Sequence, residues 1–156
     1  MKATISKESI TKALSLTGGI VEKKQTLPIL SNILIEFKDN SFKLVATDLE
    51  SELTIIGETD ACETEGTTTA SAKKLNDLCR LIPDKSNIEL NLSGDKLNIS
   101  TKNGKYSLAT LPSNEFPIFE SGDSLNSITL RSQDLKTLIN STSFACLLYT
   151  SDAADD

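Results

Sequence analysis

Residues 4–14 read TISKESITKAL, and this pattern indicates the fold because it occurs three times. It recurs as TASAKKLNDLC in residues 69–79 and as TLRSQDLKTLI in residues 129–139. Each copy predicts a short strand, a polar cap and a helix whose apolar residues recur at intervals of three and four. The copies begin at positions 4, 69 and 129, and so lie 65 and 60 residues apart. That period is typical of a duplicated supersecondary unit rather than of a solenoid.

The two complete copies carry signals for both ends of their helices. Ser6 and Ser71 are suitable N-caps, because a serine oxygen accepts a hydrogen bond from a backbone amide of the first helical turn. The pair Gly18 and Gly19 predicts the end of the first helix, and Pro83 predicts the end of the second.

Alternating apolar and polar residues follow each of these helices and predict three strands per unit. Hairpin turns are indicated at Asp39-Asn40, Ser93-Gly94-Asp95 and Asn103-Gly104. We therefore predict an α+β domain over residues 1–120, built from two β-α-β-β-β units in which antiparallel strands cover one face of each helix. Residues 116–126, rich in turn formers, read as the connection to a third copy, with the interdomain linker at 121–127. Residues 128–156 then begin a second domain, with a strand and a helix of about three turns, and we expect this domain to be truncated. From about residue 146 the amphipathic pattern is lost, and we expect the tail from there on to be non-native.

Composition narrows the classes of function. The 156 residues include 16 Lys and Arg against 22 Asp and Glu, and no histidine. The lack of histidine excludes Ser-His-Asp triads and histidine-ligated metal sites. The three cysteines are Cys62, Cys79 and Cys146. Their odd number and the lack of a CxxC spacing argue against a disulfide framework and against a zinc site. A reducing cytosol fits this pattern best. No apolar run is long enough for a membrane helix.

Charge is distributed unevenly along the chain. Residues 38–66 contain eight acids against two lysines, whereas the predicted helices place Lys12, Lys73 and Arg80 on their outward sides. Two interpretations of these cations stay open from the pattern alone. They form either an ordinary solvated helix face or a surface that follows DNA phosphates without reading sequence.

A different class of function is suggested by Asp48, Glu50 and Glu52. Their spacing of two places them on one face of a predicted strand, and three carboxylates invite the hypothesis of a metal-dependent nuclease or transferase. The alternative is an outward polar face that prevents strand-edge association. A third hypothesis is a cytosolic interaction domain that never contacts DNA.

Several motifs together resemble the beta subunit of bacterial DNA polymerase III, the sliding-clamp family. They are Met1-Lys2, QTLPILSN at 25–32, TDLE at 47–50, TLP at 110–112 and EFP at 115–117. The resemblance extends from Met1 to about Ala145. It implies a DNA clamp fold of three domains per subunit, with two subunits closed head to tail into a ring around duplex DNA. Helices would line the bore and antiparallel sheets would form the outside, without catalytic residues, metal or cofactor.

The resemblance also implies roles for individual residues. Lys24 and Lys73 match basic residues that touch DNA, and Lys24 stands where an arginine is common, which keeps the charge without the bidentate fork. The ring-closing interface would include Lys74, Leu78, Lys96, Lys105, Tyr106 and Leu108. The implied partners are double-stranded DNA, the third domain of a second subunit, and the polymerase alpha subunit and clamp loader, which would bind a groove in the second and third domains. The implied location is the cytoplasm.

Overall fold

The structure is a computed structural model that describes residues 1–21, 27–119 and 128–151, with side chains to residue 144. It divides the chain into a unit at Met1–Phe119 and a unit at Glu120–Asp156. Nine strands and two α-helices are described in the first unit. The helices are α1 (Lys7–Thr17) and α2 (Ala72–Leu81). The strands are β1 (Lys2–Ser6), β2 (Asn32–Lys38), β3 (Ser41–Thr47), β4 (Glu52–Glu58), β5 (Ala61–Thr64), β6 (Gly66–Ser71), β7 (Asn87–Ser93), β8 (Lys96–Thr101) and β9 (Gly104–Ala109).

Both predicted N-caps are confirmed. The Ser6 Oγ accepts a hydrogen bond from the Ser9 amide at 3.1 Å, and the Ser71 Oγ accepts one from the Lys74 amide at 3.4 Å. Each helix therefore begins directly after its strand, without an intervening loop. This abrupt change from strand to helix fixes the direction in which each helix leaves the sheet.

The strands form two antiparallel sheets, in the orders β5-β1-β7-β8-β9 and β4-β3-β2-β6. The α+β class and the duplicated unit are confirmed, with one change in pairing. The two β-α-β-β-β units exchange their first strands, so that β1 pairs with β7 and β6 pairs with β2. Sequence periodicity specifies which face of a strand is buried but not which strand lies beside it. The short strand β5, at the edge beside β1, was not predicted.

One main hydrophobic core joins both sheets and both helices. Helix α1 buries its predicted inner side, which consists of Ile10, Ala13, Leu14 and Thr17. Helix α2 buries Leu75 and Cys79, and its Leu78 is half-buried against the same core. Burial raises the pKa of the Cys79 thiol to about 11, so this cysteine acts as a small core residue rather than as a nucleophile.

Two of the three predicted hairpin turns lie where expected. Asp39 and Asn40 have φ values of 49° and 55°, the left-handed conformation that a tight two-residue turn requires. Gly94 has a φ of 60° in the second turn. The third turn lies one residue earlier than predicted, at residues 102–103. There the Thr101 Oγ1 accepts hydrogen bonds from the amides two and three residues further on, those of Asn103 and Gly104.

Residues 111–119 form a strap across the sheet face that is opposite the main core. The Thr69 hydroxyl bonds the Leu111 backbone at β6, and Phe116 packs on Leu34 of β2 and Val45 of β3. The strap ends at β4, where the Phe119 amide donates to Glu52 Oε2 at 2.9 Å. The prediction that the connection begins at Phe116 was wrong, because Phe116 is buried in the first unit.

The second unit contains the helix α3 (Ser132–Ser151), and Arg131, the residue directly before it, forms an ion pair with Asp134 of its first turn at 2.8 Å. The predicted strand at 129–130 is wrong, since the described residues of this unit include no strand that could pair with it. At 20 residues the helix is longer than the three turns predicted, and it continues past residue 146, where the amphipathic pattern was expected to end. No helix in the described ranges is long and apolar enough to cross a membrane.

Candidate nucleic-acid interface

The outward sides of α1 and α2 carry exposed cations. Lys12 lies on α1, while Lys73 and Arg80 lie in the first and last turns of α2, and all three are exposed. The two helices pack against each other and bury their inner sides in the same core. Their outward sides therefore turn away from that core together. Lys24, the fourth predicted DNA-binding residue, lies outside the described residues.

The charges of these cations are available to an anionic partner. In the described part of the chain, Lys12, Lys73 and Arg80 form no ion pair, and Lys74 beside them is likewise exposed. Arg80 is in the last turn of α2, where a positive charge is favourable because of the partial negative charge at a helix C-terminus. The surface thus offers flexible, hydrated cations without a rigid arrangement of donors. Such a surface suits a polyanion better than a particular base edge.

Sequence reasoning missed an ion pair near the ends of the two helices. The Lys7 ammonium lies 2.6 Å from Asp84 Oδ1, and the Lys7 amide donates to the Ser86 carbonyl at 2.8 Å. The start of α1 is thereby joined to the segment after α2. The hydrogen bond from Lys7, and then its charge, hold the pKa of the Asp84 carboxyl below its usual value. The 77 residues that separate Lys7 and Asp84 leave no local signal for this contact.

Four of the six predicted interface residues come together at the β9 edge of the five-stranded sheet. Tyr106 and Leu108 are half-buried against the main core, while Lys105, directly before Tyr106, is exposed on the opposite face of β9. Lys96 of β8 lies opposite Ala109 of β9 and is also exposed. The other two predicted residues, Lys74 and Leu78, are on α2.

The three carboxylates of the metal hypothesis do not share a strand face, so that prediction was wrong. Asp48 and Glu50 lie in the turn between β3 and β4, and of the three only Glu52 is in a strand. The Asp48 Oδ1 accepts from the Ser51 amide at 2.6 Å and from the Glu50 amide at 3.0 Å. Glu52 is bonded to the strap. Among the described residues no group of three or more His, Cys, Asp or Glu could hold a metal ion.

Asp48 gives this turn a testable pH dependence. The backbone amides of Ser51 and then Glu50 lower the pKa of its carboxyl below the ordinary 3.8. Its contribution to stability is therefore present above about pH 4 and is lost as the pH falls through the lower folded value. We expect Asp48→Ala to lower the melting temperature at pH 7, with a smaller difference below pH 3. Asp48→Asn, which keeps an acceptor oxygen, should lose less at pH 7; equal losses at both pH values would contradict the assignment.

Comparisons with known proteins agree with a clamp-type fold. Residues 1–120 match the family model described as DNA polymerase III beta subunit, N-terminal domain. The chain is 39% identical over 149 residues to a beta sliding clamp sequence from Vibrio harveyi, covering 93% of this chain and 100% of that sequence. It is 37% identical over 145 residues to the beta sliding clamp of Pseudomonas putida KT2440, covering 93% of this chain and 40% of the relative.

A solved structure gives the same result. The DNA polymerase III subunit beta of Pseudomonas aeruginosa superposes with a TM-score of 0.86 at 34% identity, covering 90% of this chain and 38% of that one. The chain therefore belongs to the DNA polymerase III beta subunit family. Apart from the Vibrio harveyi sequence, it spans about two fifths of the length of the first relatives that it matches.

Proposed function

We propose that residues 1–120 form the first domain of a sliding clamp, a non-catalytic processivity factor that encircles duplex DNA and tethers the replicative polymerase. The observation that carries the proposal is the pair of helices packed side by side with Lys12, Lys73 and Arg80 exposed and without ion pairs among the described residues. Cations of this kind hold a polyanion through its phosphates and carry no sequence information. The family assignment supports the same function.

The whole protein would act as a homodimeric ring. The β9 edge, with Lys96, Lys105, Tyr106 and Leu108, would meet the third domain of a second subunit, and Lys74 and Leu78 would contribute from α2. The polymerase alpha subunit and the clamp loader would bind a groove in later domains, and the cytoplasm would be the site of action. We place the domain boundary near residue 120 and the start of the second domain at 128; the proposed linker, 121–127, lies outside the described residues.

Sequence-independent duplex binding tests this proposal directly. We expect the chain to bind two 30-base-pair duplexes of unrelated sequence with affinities within about threefold of each other, because phosphate contacts dominate. Fluorescence anisotropy at low salt measures both affinities. Preference for one duplex by more than about 100-fold, typical of base readout, would refute the proposal. So would Mg²⁺-dependent cleavage of either duplex that Asp48→Ala abolishes, since this result would establish the nuclease hypothesis.

A further inference from the structure

The turn between β8 and β9 contains the one Asn-Gly pair of the sequence, Asn103-Gly104. Such a pair favours a hairpin turn because both of its residues readily adopt a left-handed φ. Neither residue of this pair has one, whereas Asp39 and Asn40 in the turn between β2 and β3 do. The turn itself is formed by Lys102 and Asn103, so Gly104 already belongs to β9. The backbone role that the sequence of the pair predicts is therefore absent.

An Asn-Gly pair also has a characteristic chemistry. The backbone nitrogen that follows an asparagine can attack the carbonyl carbon of the asparagine side chain, and the product is a cyclic imide. A side chain on the following residue hinders this approach, whereas glycine has no Cβ and permits it. Asparagine is accordingly one of the thermolabile residues of proteins. By residue type alone, Asn103 is therefore the most reactive asparagine of the sequence.

The side chain of Asn103 is free to react. It is exposed, and no other described residue forms a hydrogen bond with its side-chain amide. Two other asparagines are held in place. The Asn40 Oδ1 accepts a hydrogen bond from the Cys62 amide at 3.2 Å. Asn32 is buried, and its Nδ2 donates to the Thr69 Oγ1 at 3.0 Å. Asn103 thus combines the reactive sequence with an unrestrained side chain.

One hydrogen bond opposes the reaction. The Gly104 amide donates to the Thr101 Oγ1 at 3.1 Å. An amide nitrogen attacks only after it has lost its proton, and a bond to a hydroxyl oxygen stabilises the protonated amide. The bond therefore slows the attack. Exposed turns open locally at a low free-energy cost, so this bond limits the rate of the reaction and does not prevent it.

We propose that Asn103 is a site of spontaneous deamidation. The deprotonated Gly104 nitrogen attacks the Asn103 Cγ and forms a C–N bond, and the side-chain nitrogen takes up a proton from water and leaves as ammonia. Water then adds to either carbonyl carbon of the imide and opens the ring, which gives aspartate or isoaspartate at this position. The net reaction consumes one water and releases one ammonia, without oxidation or reduction.

Both products change the end of the β9 edge. Each places a carboxylate between Lys102 and Lys105, which are both exposed. Isoaspartate also adds a carbon to the main chain of the turn, beside the paired residues Thr101 and Gly104. Deamidation therefore lowers the positive charge of this edge as the protein ages. The inference concerns the chain alone, so it can fail or succeed independently of DNA binding.

Incubation of the full chain at about pH 8.5 and about 37 °C tests the inference, with a peptide of residues 101–107 beside it as the unfolded reference. Mass spectrometry of proteolytic fragments follows the gain of about 1 Da at Asn103, and protein isoaspartate methyltransferase detects isoaspartate. We expect Asn103 in the chain to react at most about 30-fold more slowly than in the peptide, because the turn opens easily, while Asn40 stays unchanged. A slower reaction of Asn103, or one no faster than that of Asn40, would overturn the inference.

Variants of the chain test the site and the bond that opposes the reaction. Asn103→Gln should abolish the mass gain in this fragment, because glutamine forms the corresponding imide far less readily; a gain that persists would overturn the site. Thr101→Val removes the acceptor and should speed the reaction about fivefold, the factor expected for the loss of one hydrogen bond. Ser100→Ala, on the same strand β8, is the matched control and should leave the rate within about twofold. Equal rates for these last two variants, both folded by circular dichroism, would overturn the role given to the Thr101 bond.

Discussion

Replacing Lys12, Lys73 and Arg80 together by alanine is expected to weaken duplex binding by on the order of 100-fold at about 0.1 M salt. For each phosphate contact, the logarithm of the binding constant falls by about 0.9 when the salt concentration rises tenfold. Losing three such contacts should therefore weaken binding by on the order of 100-fold at this salt concentration. All three side chains are exposed, so the substitutions should leave the fold intact. Anisotropy titrations with one duplex at fixed salt measure the change.

The matched control removes three exposed cations from the sheets and turns. Lys38→Ala, Lys96→Ala and Lys102→Ala change the net charge by the same amount, from positions on β2, on β8 and in the turn after it. We expect this variant to lose less than about fivefold in affinity. Equal losses for the two triple variants would mean that binding responds only to net charge, and the helical surface would have no special role.

Phe37→Ala is expected to lower the free energy of unfolding of the first unit by about 3–5 kcal/mol. Phe37 is 1% exposed in the main core and lies opposite Phe42 in the hairpin of β2 and β3. Removing its ring leaves a cavity among the side chains that hold both helices against the sheets. Chemical denaturation followed by circular dichroism measures the loss.

The control for this core substitution is Ile56→Ala on the outer side of β4. Ile56 is 72% exposed, so its loss should change stability by less than about 0.5 kcal/mol. Phe37→Leu should fall between the two, and it keeps the test usable if the alanine variant does not fold. A Phe37→Ala variant as stable as Ile56→Ala would show that the described core is wrong.

The helices were predictable because their signals are local. The apolar spacing of Ile10, Ala13 and Leu14 gives the buried side of α1, and the caps Ser6 and Ser71 lie within one turn of the amides that they bond. Once the buried side is known, the exposure of Lys12, Lys73 and Arg80 follows from helix geometry. Recognition of the family depended on motifs rather than on this geometry.

Contacts between distant parts of the sequence were not predictable. Lys7 and Asp84 meet because α1 and α2 pack together, and the exchange of β1 and β6 between units depends on the docking of whole units. Phe116 looked like part of a linker because Pro117 and a run of turn formers follow it. Its burial on Leu34 and Val45 depends on a sheet face that exists only after folding.

The carboxylate prediction failed for a local reason. A spacing of two implies one face only if the residues are in a strand, whereas Asp48 turns its oxygen back onto the amides of Glu50 and Ser51. Leu49, between Asp48 and Glu50, has a φ of 76°, a left-handed conformation that a strand cannot contain. At TDLE the side chains of Thr47 and Asp48 both bond the backbone of the turn, and these bonds favour a turn over a strand.

The salt dependence of duplex binding tests the central claim most directly, because its slope counts the phosphates that the protein neutralises. The slope of log K against log salt should be smaller in magnitude by about 3 for the variant lacking Lys12, Lys73 and Arg80 than for the unmodified chain. The control lacking Lys38, Lys96 and Lys102 should change it by less than about 1. A slope that is the same for the unmodified chain and the helix variant would show that these cations do not face DNA.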